Sequence, residues 1–276
     1  MAMYTTLIDV DALAALPGPV IVDCRFSLAD PAKGEADYAA AHLPGAVYAH
    51  LDRDLSGPPT TDHGRHPLPP PARLCEVFGA LGIGPGAQVV VYDDANGMIA
   101  ARLWWMLRYM GHDAVAVLDG GWQAWRRAGR PTEAGVRVAR PVRFTGAPRR
   151  DRLLTLDELD PVRERLVDAR DAARFRGEVE PIDRRAGHIP GARNHPFPRN
   201  LADDGRFLAP PGLRDAFANS LGTLPDGATV HYCGSGVSAC HNVLAQVHAG
   251  LPEPRLYCGS WSEWSRDPQR PAATGE

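Results

Sequence analysis

A chain of 276 residues is long enough for two domains of ordinary size, each able to bury its own core. Its formal charge of −3 recruits neither nucleic acid nor an anionic membrane. It holds no apolar run of about eighteen residues and no charged-then-apolar leader with a small-residue cleavage site, so it reads as a soluble cytoplasmic protein.

In chain order, β-rich runs (Val20–Asp23, Gln88–Tyr92 and Ala114–Leu118, then Arg165–Asp168, Thr229–Tyr232 and Arg255–Tyr257) alternate with helix-period segments such as Ala100–Tyr109 and Ala239–His248. That alternation predicts an α/β fold, each half a parallel sheet with helices on both faces. Between the halves, Gly129 to Arg150 holds Pro131, Pro141 and Pro148 with several arginines and no long apolar period. The organisation expected is therefore one domain over residues 1–130, a surface linker over 131–150 and a second domain over 151–276. Ser56–Pro71 and Ala209–Gly212, rich in proline and glycine, read as extended surface segments. The six tryptophans fall at apolar-face spacings and read as core.

The halves repeat one plan. An offset of 139 carries Gly97 to Gly236, Gly111 to Gly250, Gly120 to Gly259, Trp122 to Trp261 and Trp125 to Trp264. Upstream, with a small drift, Val22-Asp23-Cys24-Arg25 pairs with Val167-Asp168-Ala169-Arg170. His42-Leu43-Pro44-Gly45-Ala46 pairs with His188-Ile189-Pro190-Gly191-Ala192.

The halves differ where a strand-like run ends. In the second, His231-Tyr232 leads into Cys233-Gly234-Ser235-Gly236-Val237-Ser238-Ala239; in the first, Tyr92 is followed by Asp93, and one more residue precedes Gly97. Glycines let the backbone curl so that N–H groups turn inward, and the start of a helix adds partial positive charge. A thiol in such a cradle is favoured as thiolate, its nucleophilic form. Ligands of parallel sheets bind at the carboxyl ends of strands, which is where Cys233 falls. Asp93 reads as a capping residue of a structural partner domain. Cys24, Cys75, Cys233, Cys240 and Cys258 contain no CxxC pair and fit reduced thiols; Cys240 and Cys258 read as packing residues. His63-x-x-His66 has a metal-like spacing, but no second cluster accompanies it, so neither a metal nor another cofactor is expected.

These motifs, duplicated and in order along nearly the whole chain, together with Asp119-Gly120-Gly121-Trp122 and Gly259-Ser260-Trp261-Ser262-Glu263-Trp264, resemble the two-domain rhodanese sulfurtransferases, and among them the 3-mercaptopyruvate sulfurtransferase type. The resemblance implies that Cys233 takes a sulfane sulfur from a small anionic donor, becomes a persulfide, and passes the sulfur to cyanide, a small thiol or a thioredoxin-like protein. Thiosulfate-type members place cationic side chains just after the cysteine. Here Gly234 and Ser235 stand there, which favours 3-mercaptopyruvate over thiosulfate.

Relatives of that type join a serine two places after the cysteine to a histidine and an aspartate of the first domain. Ser235 matches the serine, Asp52 the aspartate, and His66, in His66-Pro67-Leu68-Pro69, the histidine, with His63 a near competitor. Arg174 matches the substrate-binding arginine, although an ion pair on a helix face with an acid such as Asp171 is an alternative role. A second arginine usually follows the Glu-Pro pair; after Glu180-Pro181 the nearest are Arg184 and Arg185, slightly displaced, and Arg184 is the candidate. Backbone groups of Gly234, Gly236, Val237, Ser238 and Ala239 complete the expected site.

Two other classes compete. Cysteine phosphatases and arsenate reductases also cradle a thiolate, but they require an arginine six residues after it, where this chain has Ala239. A non-catalytic binding protein built from the same domains would not need the thiol.

Overall fold

The computed structural model describes residues 3–58, 60, 63–222 and 229–276. The first half runs β1 (Leu7–Ile8), α1 (Val10–Ala15), β2 (Val20–Asp23), α2 (Lys33–Ala40), β3 (Val47–Tyr48), α3 (Pro71–Ala80), β4 (Val89–Tyr92), α4 (Ala100–Tyr109), β5 (Val115–Leu118) and α5 (Gly121–Arg127). The second runs β6 (Leu153–Leu154), β7 (Leu166–Asp168), α6 (Ala172–Phe175), β8 (Arg193–Asn194), α7 (Pro210–Leu221), β9 (Val230–Tyr232), α8 (Ser238–His248), β10 (Arg255–Tyr257) and α9 (Ser260–Trp264).

Each half forms one five-stranded sheet, ordered β1-β5-β4-β2-β3 and β6-β10-β9-β7-β8, and every pairing is parallel. The central strands show why. Val89-Val90-Val91-Tyr92 is buried at every position, as is Val115-Ala116-Val117-Leu118, so both faces must be covered. In each sheet the chain leaves β2 or β7 toward one edge and β4 or β9 toward the other. The neighbouring strands β4/β2 and β9/β7 therefore flank the switch point where parallel sheets bind ligands. Asp93 and Cys233 are the first residues past β4 and β9.

Five of the six tryptophans are core residues: Trp104, Trp105 and Trp261 are at most 1% exposed, and Trp125 and Trp264 are buried, while Trp122 is partly buried against the core of unit one.

The chain forms two compact units, whose boundaries are not simple cuts. Unit one holds residues 1–57, 69–149 and 204–206; unit two holds 58–68, 150–203 and 207–276. Of the expected linker 131–150, residues 131–149 pack along unit one: Glu133 and His42 exchange backbone bonds, the Val142 amide donates to Gly79, and the Arg149 amide donates to Tyr109. Ala209–Gly212, read as an extended segment, is instead the N-terminal boundary of α7, because Pro210 tolerates the first helical position, where no amide partner is needed. Pro71 opens α3 in the same way. Elsewhere in the Ser56–Pro71 loop, Ser56, Gly57 and Pro69 are buried in unit one, and Gly64 and His66 in unit two; residues 59, 61 and 62 lie outside the described ones.

Candidate active site

Cys233 ends β9 in a turn that the start of α9 holds in place. Its amide donates to Ser260 Oγ at 3.1 Å, and its carbonyl accepts from the Trp261 amide at 2.9 Å. The Gly234 carbonyl accepts from Ser262 at 2.9 Å. Gly236 then takes φ +75°, a region open to glycine, and α8 begins at Ser238 with no side-chain cap on its first turn. Cys233 is 2% exposed.

Unit one shows what such a turn accommodates. There the Asp93 carboxylate accepts four amides, those of Ala95 (2.9 Å), Gly97 (2.8 Å), Ile99 (2.7 Å) and Ala100 (2.7 Å), and so caps α4. Burial pushes this carboxyl above its ordinary range while the amides pull against that. Gly97 at φ +88° stands where Gly236 stands, and the Trp122 amide donates to Asp93 as Trp261 does to Cys233. The same tethered turn thus carries an aspartate in unit one and a cysteine in unit two.

Ser235 is buried, and its Oγ lies 2.7 Å from His66 Nδ1; His66 is itself 5% exposed, held by the 58–68 segment of its own unit. His63 is not its rival: it is solvent-facing, with Nδ1 3.3 Å from Glu263 Oε1. Asp52 belongs to unit one, exposed in the turn after β3, where its amide donates to His50 Nδ1 at 3.1 Å.

Arg174 faces the loop. A Cβ built on Gly234 would lie 3.6 Å from Arg174 Nη1, while Nη2 donates to Glu180 Oε1 (2.7 Å) and Asp183 Oδ2 (3.0 Å). Asp171 is not its partner but caps α6 through the Ala173 amide. The second guanidinium at the loop is that of Arg65, whose Nη2 would be 2.9 Å from the same Cβ and whose Nη1 pairs with Asp183. Arg184, the expected second clamp, is instead exposed. The reason lies in the loop's own hydrogen bonds. Glu180 accepts from the amides of Ile182 and Asp183, which folds the segment back on Arg174 and turns Asp183 inward in place of a neighbouring arginine. Burial works to raise the Glu180 carboxyl, but the Asp183 amide and the Arg174 guanidinium outweigh it and hold it below the ordinary range. Asp183 is pushed up by burial, with Arg65 and Arg174 opposing.

Arg65 and Asp183 were not singled out by sequence reasoning. The available signal was Gly64-Arg65-His66, in which a Cβ on Gly64 would sit 2.5 Å from the Gly259 carbonyl, so the backbone there needs glycine to close on α9's approach. Cys240 is fully buried, its thiol donating to the Gly236 carbonyl. Cys258 lines a cavity of about 490 Å³ with His63, Leu154, Tyr257 and Glu263.

The Rhodanese-like domain family matches residues 7–128 and again 151–267. A probable 3-mercaptopyruvate sulfurtransferase of Pseudomonas aeruginosa is 48% identical over 100% of this chain and 99% of its own. A putative thiosulfate sulfurtransferase of Mycobacterium tuberculosis is 44% identical over 92% of this chain and 90% of its own. Among solved structures, the 3-mercaptopyruvate sulfurtransferase from Leishmania major gives a TM-score of 0.85 at 36% identity, covering 95% of this chain and 74% of that one. Two copies of one doubly wound unit, with a cysteine past the central strand of one and an aspartate in the other, are the tandem rhodanese-like class. The chain belongs to the rhodanese family, and it is a sulfurtransferase. No helix among the described residues is long and apolar enough to cross a membrane.

Proposed function

We propose that Cys233 carries a sulfane sulfur taken from 3-mercaptopyruvate and delivers it to a thiol, cyanide or a thioredoxin-like acceptor. The observation that carries this reading is the repeated turn: where unit one gathers four amides on the Asp93 carboxylate, unit two has Cys233 at the same point past its central strand, with Gly236 in the left-handed conformation of Gly97. The Cys233 thiolate attacks the donor sulfur, and the carbon–sulfur bond breaks with its electron pair leaving on carbon as the enolate of pyruvate. Protonation of that carbon completes the half-reaction, and the 2.7 Å separation of His66 and Ser235 supports giving that pair the proton. In the second half-reaction the acceptor attacks the outer sulfur, the sulfur–sulfur bond breaks, and its electron pair returns to Cys233. Amides of Gly234, Gly236, Val237, Ser238 and Ala239 would stabilise both sulfur anions with little reorganisation.

Arg174 beside Gly234 suits the donor carboxylate. Thiosulfate is the second donor to consider, given the name of the Mycobacterium relative. A phosphatase reading lacks its cation, because Ala239 occupies the arginine's place. The five cysteines are free, which supports a reducing compartment such as the cytoplasm. After exposure to 3-mercaptopyruvate, the peptide holding Cys233 should gain about 32 Da, one sulfur atom, with release of pyruvate. A Cys233→Ser variant that turns over at the wild-type rate would end the proposal.

A further inference from the structure

Two guanidiniums converge on the residue after the nucleophile, and two carboxylates stand behind them. The Arg65 and Arg174 side chains are 26% and 16% exposed, whereas those of Glu180 and Asp183 are 4% exposed. The arginines thus face outward over Gly234, and the acids are turned away from solvent. Each arginine spends one terminal nitrogen on Asp183 and keeps the other toward the loop. Arg170, nearby, is taken up by Asp168 and Glu180. The Arg65, Arg174, Glu180 and Asp183 set is formally neutral, although it presents cationic forks to whatever approaches Cys233.

Such an arrangement discriminates by charge. A carboxylate with one negative charge is satisfied by the forks' directed hydrogen bonds. A dianion gains more from every net positive charge in the site, because Coulomb attraction scales with the product of the charges.

We infer that Arg65 is the second cationic group of the donor site and that Asp183, by holding Arg65 and cancelling one positive charge, sets the enzyme's preference for a monoanionic over a dianionic sulfur donor. The segment 58–68 therefore determines specificity as well as carrying His66. This inference rests on the sulfur-transfer reading above, and binding separates the two.

In a Cys233→Ser background, where no sulfur can move, pyruvate and thiosulfate serve as the monoanionic and dianionic probes, and calorimetry gives their affinities. Asp183→Asn should move the affinity ratio about tenfold toward thiosulfate, and Arg65→Gln should move it the opposite way while weakening pyruvate about tenfold. Arg65 is partly exposed, so its variant tests the inference even if Asp183→Asn folds poorly. A ratio unchanged in Arg65→Gln, or moved in the same direction by both variants, overturns the inference. Shifted ratios alongside a wild-type protein that forms no persulfide would sustain the charge selection and refute the sulfur-transfer reading alone.

Discussion

Replacing Asp93 with alanine tests the physical basis of the proposed site, because the four amides on its carboxylate show what the turn repeated at Cys233 can bind. Asp93 is 0% exposed, and truncation leaves four donors with no protein acceptor, those of Gly97, Ile99 and Ala100 buried and that of Ala95 part-buried. A buried orphan donor costs about 1–3 kcal/mol, so the three buried ones alone should cost the first unit at least about 3 kcal/mol, at the top of the ordinary range for a point substitution. Asp93→Asn should fall between, because its carbonyl still accepts while its NH₂ is turned against donors. Urea unfolding followed by fluorescence reads this directly, since Trp104, Trp105, Trp122 and Trp125 all lie in unit one. A loss below about 1 kcal/mol for Asp93→Ala would show that these amides do not require an anion. The reading of the Cys233 turn as an anion cradle would then lose its ground.

Acid should destabilise unit two before carboxylates titrate. Burial lowers His195 to about 4 and His231 to about 3, from 6.5. These lowered values mean the folded state refuses protons that the unfolded chain accepts below about pH 6.5, so this stability is full above that pH and is lost as pH falls toward the folded values. Two histidines at about 1.4 kcal/mol per pH unit each give roughly 4 kcal/mol lost by about pH 5, and a urea midpoint flat between about pH 7 and pH 5 would contradict this. Ser235→Lys should shift activity from mercaptopyruvate toward thiosulfate by adding a charge beside the acceptor sulfur; an unchanged ratio of pyruvate to sulfite release rejects that. His66→Asn should lower kcat on mercaptopyruvate about 10²-fold or more; full kcat in His66→Asn would remove the proton relay.

What could be read from sequence, and what could not, follows from the range of the interactions. Central strands such as Val89–Tyr92 announce themselves because burial on both faces demands unbroken apolar, β-branched runs. The edge strands β1, β3, β6 and β8 are two residues each, too short to carry a period. Cys233, Ser235 and Arg174 were legible because each lies in a local motif. His66 was legible only as a pattern, since its partner is 169 residues away. Arg65 and Asp183 were invisible for the same reason: their pairing spans 118 residues, and the arginine expected nearby, Arg184, is displaced by a turn whose hydrogen bonds involve Glu180.

The duplicated motifs themselves prove to be scaffold. Asp23 and Arg25 form a buried pair, with Arg25 stacked over Trp122 at 4.4 Å; Asp168 and Arg170 repeat it, with Arg170 over Trp261 at 5.0 Å. His42 Nδ1 lies 2.8 Å from the Tyr38 carbonyl, and His188 Nδ1 lies 2.8 Å from that of Phe175. The halves diverge at two matched positions: Asp93 corresponds to Cys233 in the repeat, and Gly121 at φ +53° corresponds to Ser260 at φ +59°. A serine in that left-handed region is strained where glycine is not. Its hydroxyl accepts the Cys233 amide and donates to the Tyr257 carbonyl, so the strain is offset by a bond that fixes the backbone of Cys233. The copy with an aspartate needs no such tether, because its carboxylate already gathers the turn around itself.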